Sequence, residues 1–295
     1  MDDTMVIPEL ANLVNPIVVI AFSGWSDASS SASNTVEHLT SVYNARLRFA
    51  VDPSDYYDFQ VSRPTVRNTS NGERVLIWST TEVSLARVQG RDLVLIDGPE
   101  PNFHWPQFAR EFSQVLRSVD PDLVAILGSM LSELPHTRPV PVTLTSTDAR
   151  IQEAFGAEAP TYEGPTGISG VIAQACSALG LPAVSLWASV PHYLAAGSNP
   201  KATLALLSRL EDFFDEPLEL GELPKRADAW EASISAVIEQ DRGIATYIHH
   251  LEENSDETPT RYSGDDIAAE FQRYFRNQSA DGGFNPPEGF GGQTH

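Results

Sequence analysis

Short runs of apolar, mostly β-branched residues alternate with helical patterns through the first two thirds of the chain. Residues 17–22 are apolar at every position, which is typical of a strand buried on both faces. Residues 93–96, 123–127 and 184–190 form similar runs, and helical spacings separate them. Strands that alternate with helices in this way predict an α/β fold, a mixed sheet with helices on both faces.

Residues 56–79 interrupt this alternation and predict a β-hairpin. Its arms are expected at residues 59–66 and 74–78, and its turn contains Asn71-Gly72, a dipeptide typical of tight hairpin turns. The Asp97-Gly98 pair that follows the run at 93–96 is expected to form a turn at the end of that strand.

The alternation of strand and helix patterns ends near residue 215. An acidic stretch at 211–222 contains Pro217 and predicts a linker. An apolar stripe over residues 230–251 then predicts one long helix, and a second is expected to begin at Ser263. We therefore divide the chain into an α/β core domain (1–215), a C-terminal helical region forming a helical hairpin (216–279) and a disordered tail (280–295).

Charge and cysteine content limit the classes of partner and compartment. The chain has 19 Lys and Arg residues against 40 Asp and Glu residues, a net charge of −21. This balance disfavours binding to nucleic acid or to an anionic membrane, since both need clustered cations. Cys176 is the single cysteine, so no internal disulfide can form, and no apolar run is long enough to cross a bilayer. We expect a cytoplasmic protein.

A glycine-rich turn at residues 162–170 opens directly into an apolar helix and is the first candidate site. The backbone N–H groups from Gly167 to Ser169, assisted by Thr166, could hold an anion. No Lys-Ser/Thr pair follows, so the turn is not a P-loop. In the alternative interpretation, Thr166 caps the helix and the glycines only allow close packing.

The carboxyl ends of the predicted strands supply the other candidates, because ligands of open α/β sheets collect there. Asp27, Asp97, Glu100 and His192 could provide acid–base groups, and Arg138, with His136 beside it, could clamp an anion. Turns, helix caps and a stiff proline-rich connector explain the same residues without a ligand. The complete candidate ligand pocket consists of Ser23, Gly24, Asp27, Asp97, Gly98, Arg138, Thr166, Gly167 and His192.

No catalytic set can be assigned from the sequence. The G-x-S-x-G nucleophile motif is absent, the histidines lack metal-ligand spacing, and Cys176 lies within the apolar pattern of a helix. We predict no catalytic residues, no metal and no cofactor.

Several segments, taken together and in order, resemble the proteasome assembly chaperone 2 family in its actinobacterial-type branch. The resemblance implies an α/β core similar to the nucleoside phosphorylase fold, followed by a small helical region. It also implies relatives that act by binding proteins, some of which assist assembly of the proteasome α-ring. The sequence ends in Gln293-Thr294-His295 where some proteasome-docking relatives have a hydrophobic-Tyr-any tripeptide, which argues against docking by that route. The segments are residues 21–28, 95–101, 135–143, 162–170, 185–193 and 199–203.

Three functions remain open at this point, and one of them is a structural oligomer in which the helix that carries Trp230 packs across subunits. The first is a non-enzymatic, chaperone-like protein that binds proteins and self-associates as a homo-oligomer, which could be a trimer. Its partners would include proteasome subunits where the organism has them. The alternative is a small-ligand protein for a nucleoside or phospho-compound, either a binding protein or a hydrolase- or phosphorylase-like enzyme that uses the strand-end pocket.

Overall fold

One seven-stranded mixed sheet organises the protein, of which the computed structural model describes residues 8–214 and 217–257. Within those ranges the strands are β1 (Ile17–Ser23), β2 (Arg46–Ala50), β3 (Thr65–Asn68), β4 (Arg74–Ile77), β5 (Glu82–Val88), β6 (Arg91–Pro99), β7 (Leu123–Ser132), β8 (Val142–Thr145) and β9 (Ala183–Pro191). The helices are α1 (Ser31–Val42), α2 (Trp105–Val119), α3 (Ala149–Phe155), α4 (Ile168–Ala178), α5 (Pro200–Leu210), α6 (Leu223–Ile238) and α7 (Arg242–Glu257).

The strand order in the sheet is β2-β5-β6-β1-β7-β9-β8. The four central strands, β6, β1, β7 and β9, are parallel, and antiparallel strands complete both edges. The central strand β1 is buried at its first six positions, as its continuous apolar sequence predicts. Parallel pairing directs the carboxyl ends of these four strands to one edge of the sheet.

Helices cover both faces of the sheet, which confirms the predicted fold class. On one face, α1 and α5 pack on side chains that include Val19, Leu95 and Leu186. On the other face, α2 and α4 pack on Val18, Ile20 and other side chains that alternate with the first set along the same strands. The similarity of this core to nucleoside phosphorylases and the division into domains stay predictions.

Several strands differ from the sequence prediction. The strand β6 continues through Pro99, so Asp97 and Gly98 lie inside a strand and do not form a turn. The hairpin arms are shorter than predicted, and β3 and β4 form a separate two-stranded sheet. The sequence did not predict β5, which pairs with β6 and with β2 and thereby joins the edge strand to the central sheet.

The prediction of one long helix over residues 230–251 is wrong, because a short non-helical segment separates α6 from α7. Asp241 accepts hydrogen bonds from the backbone N–H groups of Gly243 (2.8 Å) and Ile244 (3.2 Å), which starts a new helix. The second helix predicted from Ser263 and the predicted tail lie outside the described residues. None of the helices in the described ranges is both long enough and apolar enough to cross a membrane.

Candidate functional site

The start of α4, where the sequence predicts an anion, is occupied by a carboxylate of the protein itself. The backbone N–H of Ile168 donates to Oε1 of Glu100 at 2.7 Å. Glu100 directly follows β6, and its own N–H donates to the carbonyl oxygen of Ser23 at 2.9 Å. Burial raises the pKa of Glu100, and backbone hydrogen bonds from Ile168 and Trp25 partly oppose this effect. The residue therefore links the end of β6 to the helix.

Gly167 is required here because of close packing. A Cβ at this position would lie 2.6 Å from Oγ of Ser26, 2.8 Å from Oε1 of Glu100 and 3.1 Å from the ring of Trp25. Thr166 is exposed, the N-cap residue of α4 is Gly167, and the Thr166 hydroxyl donates to the carbonyl oxygen of Gly167 at 3.5 Å. The interpretation that Thr166 caps the helix is therefore wrong, whereas its other half, glycine for close packing, agrees with the structure.

Asp27 accepts hydrogen bonds at the start of a different helix, α1. Its Oδ1 accepts from the backbone N–H groups of Ala32 (2.8 Å) and Ser33 (3.3 Å), and its Oδ2 accepts from the Ser33 hydroxyl at 2.5 Å. Burial raises the pKa of Asp27, and these hydrogen bonds lower it in part. Gly24 makes the turn between β1 and this cap with φ of +128°, a conformation that favours glycine.

Asp97 and Gly98 point to opposite faces of β6. Asp97 lies beside Glu82 of β5 in the antiparallel register. Burial, and then the charges of Glu82 and Glu37, raise the pKa of Asp97 to about 6. Gly98 leaves no room for a side chain, because a Cβ would lie 2.6 Å from the carbonyl oxygen of Thr80.

Arg138 is engaged by the C-terminal helices. Its Nε and Nη2 donate to the two carboxylate oxygens of Asp256 in α7, at 2.8 and 2.7 Å. The neighbouring Thr137 hydroxyl donates to Glu252, also in α7. Arg138 is therefore a clamp for a carboxylate, as its chemistry suggests, but the carboxylate belongs to the same chain.

His192 and His136 also face these helices. The Nε2 of His192 lies 3.4 Å from the Tyr247 hydroxyl. His136 is buried, with Nδ1 2.9 Å from the Tyr193 hydroxyl and Nε2 3.0 Å from the Ser235 hydroxyl of α6. We call the contacts of residues 135–138 and 192–193 with α6 and α7 the polar seam.

The candidate pocket residues thus lie in three places. Ser23, Gly24, Thr166 and Gly167 surround Glu100 at the start of α4, and Asp27 lies beside them under α1. Asp97 lies on the α1 face with acidic neighbours, and Arg138 and His192 belong to the polar seam. The sequence predicted Glu100 as one of the strand-end acids, but it did not predict that this carboxylate accepts a hydrogen bond at the start of α4.

A cavity of about 740 Å³ lies elsewhere, along α4. Thr166 is the one candidate pocket residue that lines it. In the described ranges, no group of three or more His, Cys, Asp or Glu residues could hold a metal ion. Burial raises the pKa of the Cys176 thiol to about 12, so this residue is an inert part of the core.

The chain is similar to proteins of known structure. A PAC2 family protein from Streptomyces avermitilis is 46% identical, with a TM-score of 0.74 over 79% of this chain and 99% of that one. The proteasome-assembly chaperone homologue Rv2125 of Mycobacterium tuberculosis is 44% identical, with a TM-score of 0.71 over the same shares. The archaeal proteasome activator PbaB of Pyrococcus furiosus shares the fold, at 16% identity over 77% of this chain and 94% of that one, with a TM-score of 0.59.

No curated protein matches the chain significantly. The sequence model of the PAC2 family matches residues 21–238, which include the whole sheet from the end of β1 and all of α6. The match includes Glu100, the start of α4 and the seam residues before α7. Together with the two relatives above 40% identity, it confirms the resemblance seen in the sequence. This chain belongs to the PAC2 family.

Proposed function

We propose that this protein acts by binding other proteins, as a chaperone-like factor without enzymatic activity of its own. The observation that carries this proposal is the 44% identity to a proteasome-assembly chaperone homologue over nearly the whole of that relative. The geometry supports it, because Glu100, Asp27 and Arg138 are engaged by internal partners. A cytoplasmic location is part of the proposal, since a single cysteine suits a reducing compartment.

The nucleoside or phospho-compound hypothesis lacks a specific observation in its favour. A phosphate at the start of α4 would compete with the Glu100 carboxylate for the Ile168 N–H. The only arginine among the candidate residues, Arg138, holds Asp256. Like charges and occupied donors both oppose an anion at these positions.

Self-association is the second part of the proposal, and the β3–β4 hairpin is its candidate surface. An isolated two-stranded hairpin is at best marginally stable in water. This one exposes Val66, Leu76, Ile77 and Trp78, each more than 40% accessible. A second copy of the chain that covers these side chains would supply the apolar contact that the hairpin lacks.

Charge complementarity favours a second copy as the partner of the hairpin. The exposed strands β2, β3 and β4 carry four arginines and no carboxylate, and none of the four forms an ion pair within the described part of the chain. The whole chain has a net charge of −21. Basic and apolar residues on β2 and on the hairpin of an acidic protein therefore complement the remaining surface of another copy. The arginines are Arg46, Arg48, Arg67 and Arg74.

The chaperone-like role can be tested with purified proteasome α and β subunits from an organism that encodes this protein. We expect the full chain to co-elute with α subunits or with an assembly intermediate, and to change the rate at which complete particles appear on native gels. An unrelated protein of equal size and net charge is the control. Subunits that assemble at the same rate, with no co-elution at tens of micromolar, would contradict the proposal.

A further inference from the structure

The cavity of about 740 Å³ is a long, half-open groove beside α4. One wall is α4 itself, the floor is the sheet near β9, and the chain at residues 160–166 forms the opposite wall. The N-terminal half of α2 adds a rim through Ala109, Arg110 and Ser113. Its volume lies within the range of sites that hold small organic molecules, about 300–1,000 Å³.

The groove exists because the helix layer on this face is too narrow for the sheet. Within the described residues, α2 and α4 are the α-helices that pack on this face, and the strands of the buried cluster beneath them are β5, β6, β1 and β7. Of β9, only the partly buried Ala183 packs against this cluster in the described part of the chain. Along β9, Leu186 and Ala188 are buried under α5 on the opposite face, whereas Ser185 and Trp187 on the α4 face are half-buried. Their exposed parts form the floor of the groove.

Several contacts fix the walls before any ligand arrives. The Trp187 ring lies over Gly128 of β7, where a Cβ would come within 2.6 Å of it. The Tyr162 hydroxyl donates to the carbonyl oxygen of Pro165 at 2.8 Å and holds the opposite wall in a tight turn. The hydroxyl of Thr147, which lines the groove, hydrogen-bonds to the hydroxyl of Ser177 in α4 at 2.9 Å. A preformed site lowers the entropic cost of binding.

The lining of the groove is mostly apolar, and its charge is of one sign. Most of the lining surface is apolar, and it includes the aromatic rings of Trp25, Tyr162 and Trp187. Although the chain has 40 Asp and Glu residues, none of them lines the groove among the described residues. The one charged lining residue there is Arg110, which is exposed and makes no ion pair with the described part of the chain.

We propose that this groove binds a small organic acid with an apolar, aromatic or aliphatic body and a single carboxylate. The body would lie against the aromatic rings and the small residues of α4, such as Gly170 and Ala178. The carboxylate would pair with the Arg110 guanidinium, which matches its geometry. One cation suits a monoanion better than a phosphate, which takes more donors. The site is separate from the polar seam, and this proposal does not depend on the chaperone-like function.

Calorimetric titration of the full chain tests the proposal with three probes that differ only in the head group: phenylhexanoate, phenylhexanol and phenylhexylammonium. We expect saturable binding of the carboxylate, binding of the alcohol that is weaker by about tenfold or more, and no binding of the ammonium compound. A charge-assisted hydrogen bond that the alcohol cannot make is the reason for the difference.

Three variants locate the site. Ala178→Trp fills the groove from an exposed position of α4 and should abolish binding of both the acid and the alcohol. Arg110→Gln should reduce the affinity for the acid to that for the alcohol. Arg117→Gln is the matched control, because this residue is exposed two turns further along α2 and does not line the groove. Circular dichroism and the Tm of each variant verify that it is folded.

Three outcomes would overturn the proposal. Equal affinity for the three head groups would mean nonspecific apolar adsorption. Acid binding that survives Ala178→Trp would place the ligand elsewhere on the protein. No saturable heat at millimolar acid would mean that the groove takes no such ligand, including the case in which a second copy or another part of the chain covers it.

Discussion

At the scale of single residues, the position of the Glu100 carboxylate depends on the absence of a side chain at Gly167. The carboxylate reaches the N–H of Ile168 only because nothing projects from Gly167 into the space between them. The negative charge also complements the positive end of the helix dipole. The sequence could predict that an anion belongs at this turn. It could not identify the anion, since Glu100 is 68 residues away and only the register of β6 beside β1 brings it there.

Gly167→Ala tests this dependence. Its backbone conformation (φ −84°, ψ 179°) suits any residue, so the effect isolates the clash of the new methyl group with Ser26 and Glu100. We expect a loss of about 1–3 kcal/mol in the free energy of unfolding, as for other overpacked positions. Urea denaturation measures it. The control is Gly243→Ala in α7, which meets only a flexible side chain and should be neutral or mildly stabilising.

Asp97 gives a prediction about pH. Its pKa is about 6 in the folded protein and 3.8 in the reference state, so the folded protein binds more protons between these values. Stability from this group is therefore greatest below about pH 4 and falls as the pH rises to about 6. Asp97→Asn should raise stability at pH 7, by no more than about 3 kcal/mol at 1.36 kcal/mol per pKa unit.

Urea denaturation at pH 4 and pH 7 compares this variant with the wild type. The gain should be smaller at pH 4, where the wild-type carboxyl is also neutral in the folded state. Glu153→Gln, at an exposed position of α3, is the control and should change neither value by more than about 0.5 kcal/mol. An Asp97→Asn variant less stable than the wild type at pH 7 would contradict the assignment.

At the scale of elements, the polar seam determines how α6 and α7 are held on the α/β core. Besides the apolar contacts of Leu223, Ile234, Ile248 and Leu251, the seam uses charged and aromatic polar groups. The side chain of Lys201 in α5 joins two elements, since it donates to the carbonyl oxygen of His136 at 2.7 Å and pairs with Glu231 of α6. Docking of these helices is therefore sensitive to both pH and salt.

His136 carries the pH-dependent part of the seam. Burial lowers its pKa below 6.5; among the neighbouring charges, Glu231 and Glu252 oppose this shift and Lys201 adds to it. The stability from the neutral ring is complete above pH 6.5. It is lost as the pH falls toward the folded-state pKa, because the unfolded chain then takes up a proton that the folded protein does not.

Hydrogen exchange of α6 and α7 measures this effect. We expect the amides of both helices to lose protection between pH 7.5 and pH 5.5, after correction for intrinsic exchange rates. The loss should be smaller in His136→Gln, which cannot take up a proton but keeps a side chain able to hydrogen-bond. Equal losses in the variant and in the wild type would show that other groups govern the docking.

The elements also show where sequence patterns fail. Buried central strands such as β1 and β7 were predictable because each begins with an unbroken apolar run, at residues 17–22 and 123–127. The strand β5 was not, since Ser84 and Arg87 interrupt its apolar pattern and its two neighbours define it. The break between α6 and α7 was hidden because the apolar stripe continues on both sides of Asp241, and only its capping contacts end one helix and begin the next.

At the scale of the whole molecule, the exposed hairpin and the net charge of −21 should together govern association. A single charge on the hairpin, Leu76→Glu, would place a carboxylate in an apolar interface and repel an acidic second copy. We expect sedimentation velocity at micromolar concentration to show an oligomer for the wild type and a monomer for this variant. Val61→Glu, exposed in the loop before β3, is the matched control and should keep the oligomer.

Salt separates the two contributions to this association. If the four exposed arginines of β2, β3 and β4 pair with acidic residues of another copy, raising the salt concentration from 0.05 M to 0.5 M should weaken the oligomer, since the screening length falls below about 10 Å. An oligomer strengthened by salt would indicate a purely apolar interface. A wild-type chain that stays monomeric at both concentrations would remove self-association from the proposed function.

The position of Trp187 has a practical consequence for spectroscopy. Its indole ring lies over the backbone of Gly128, its direct partner in the parallel pairing of β9 with β7. The ring is thus in a fixed, asymmetric environment that exists only when these two strands are in register. Because the chain has five tryptophans, its contribution is the difference between the near-ultraviolet circular dichroism of the wild type and that of Trp187→Phe. This difference would report the closure of the strand pair during refolding, without any attached label. The same signal would change when a molecule enters the neighbouring groove, so one chromophore reports two events.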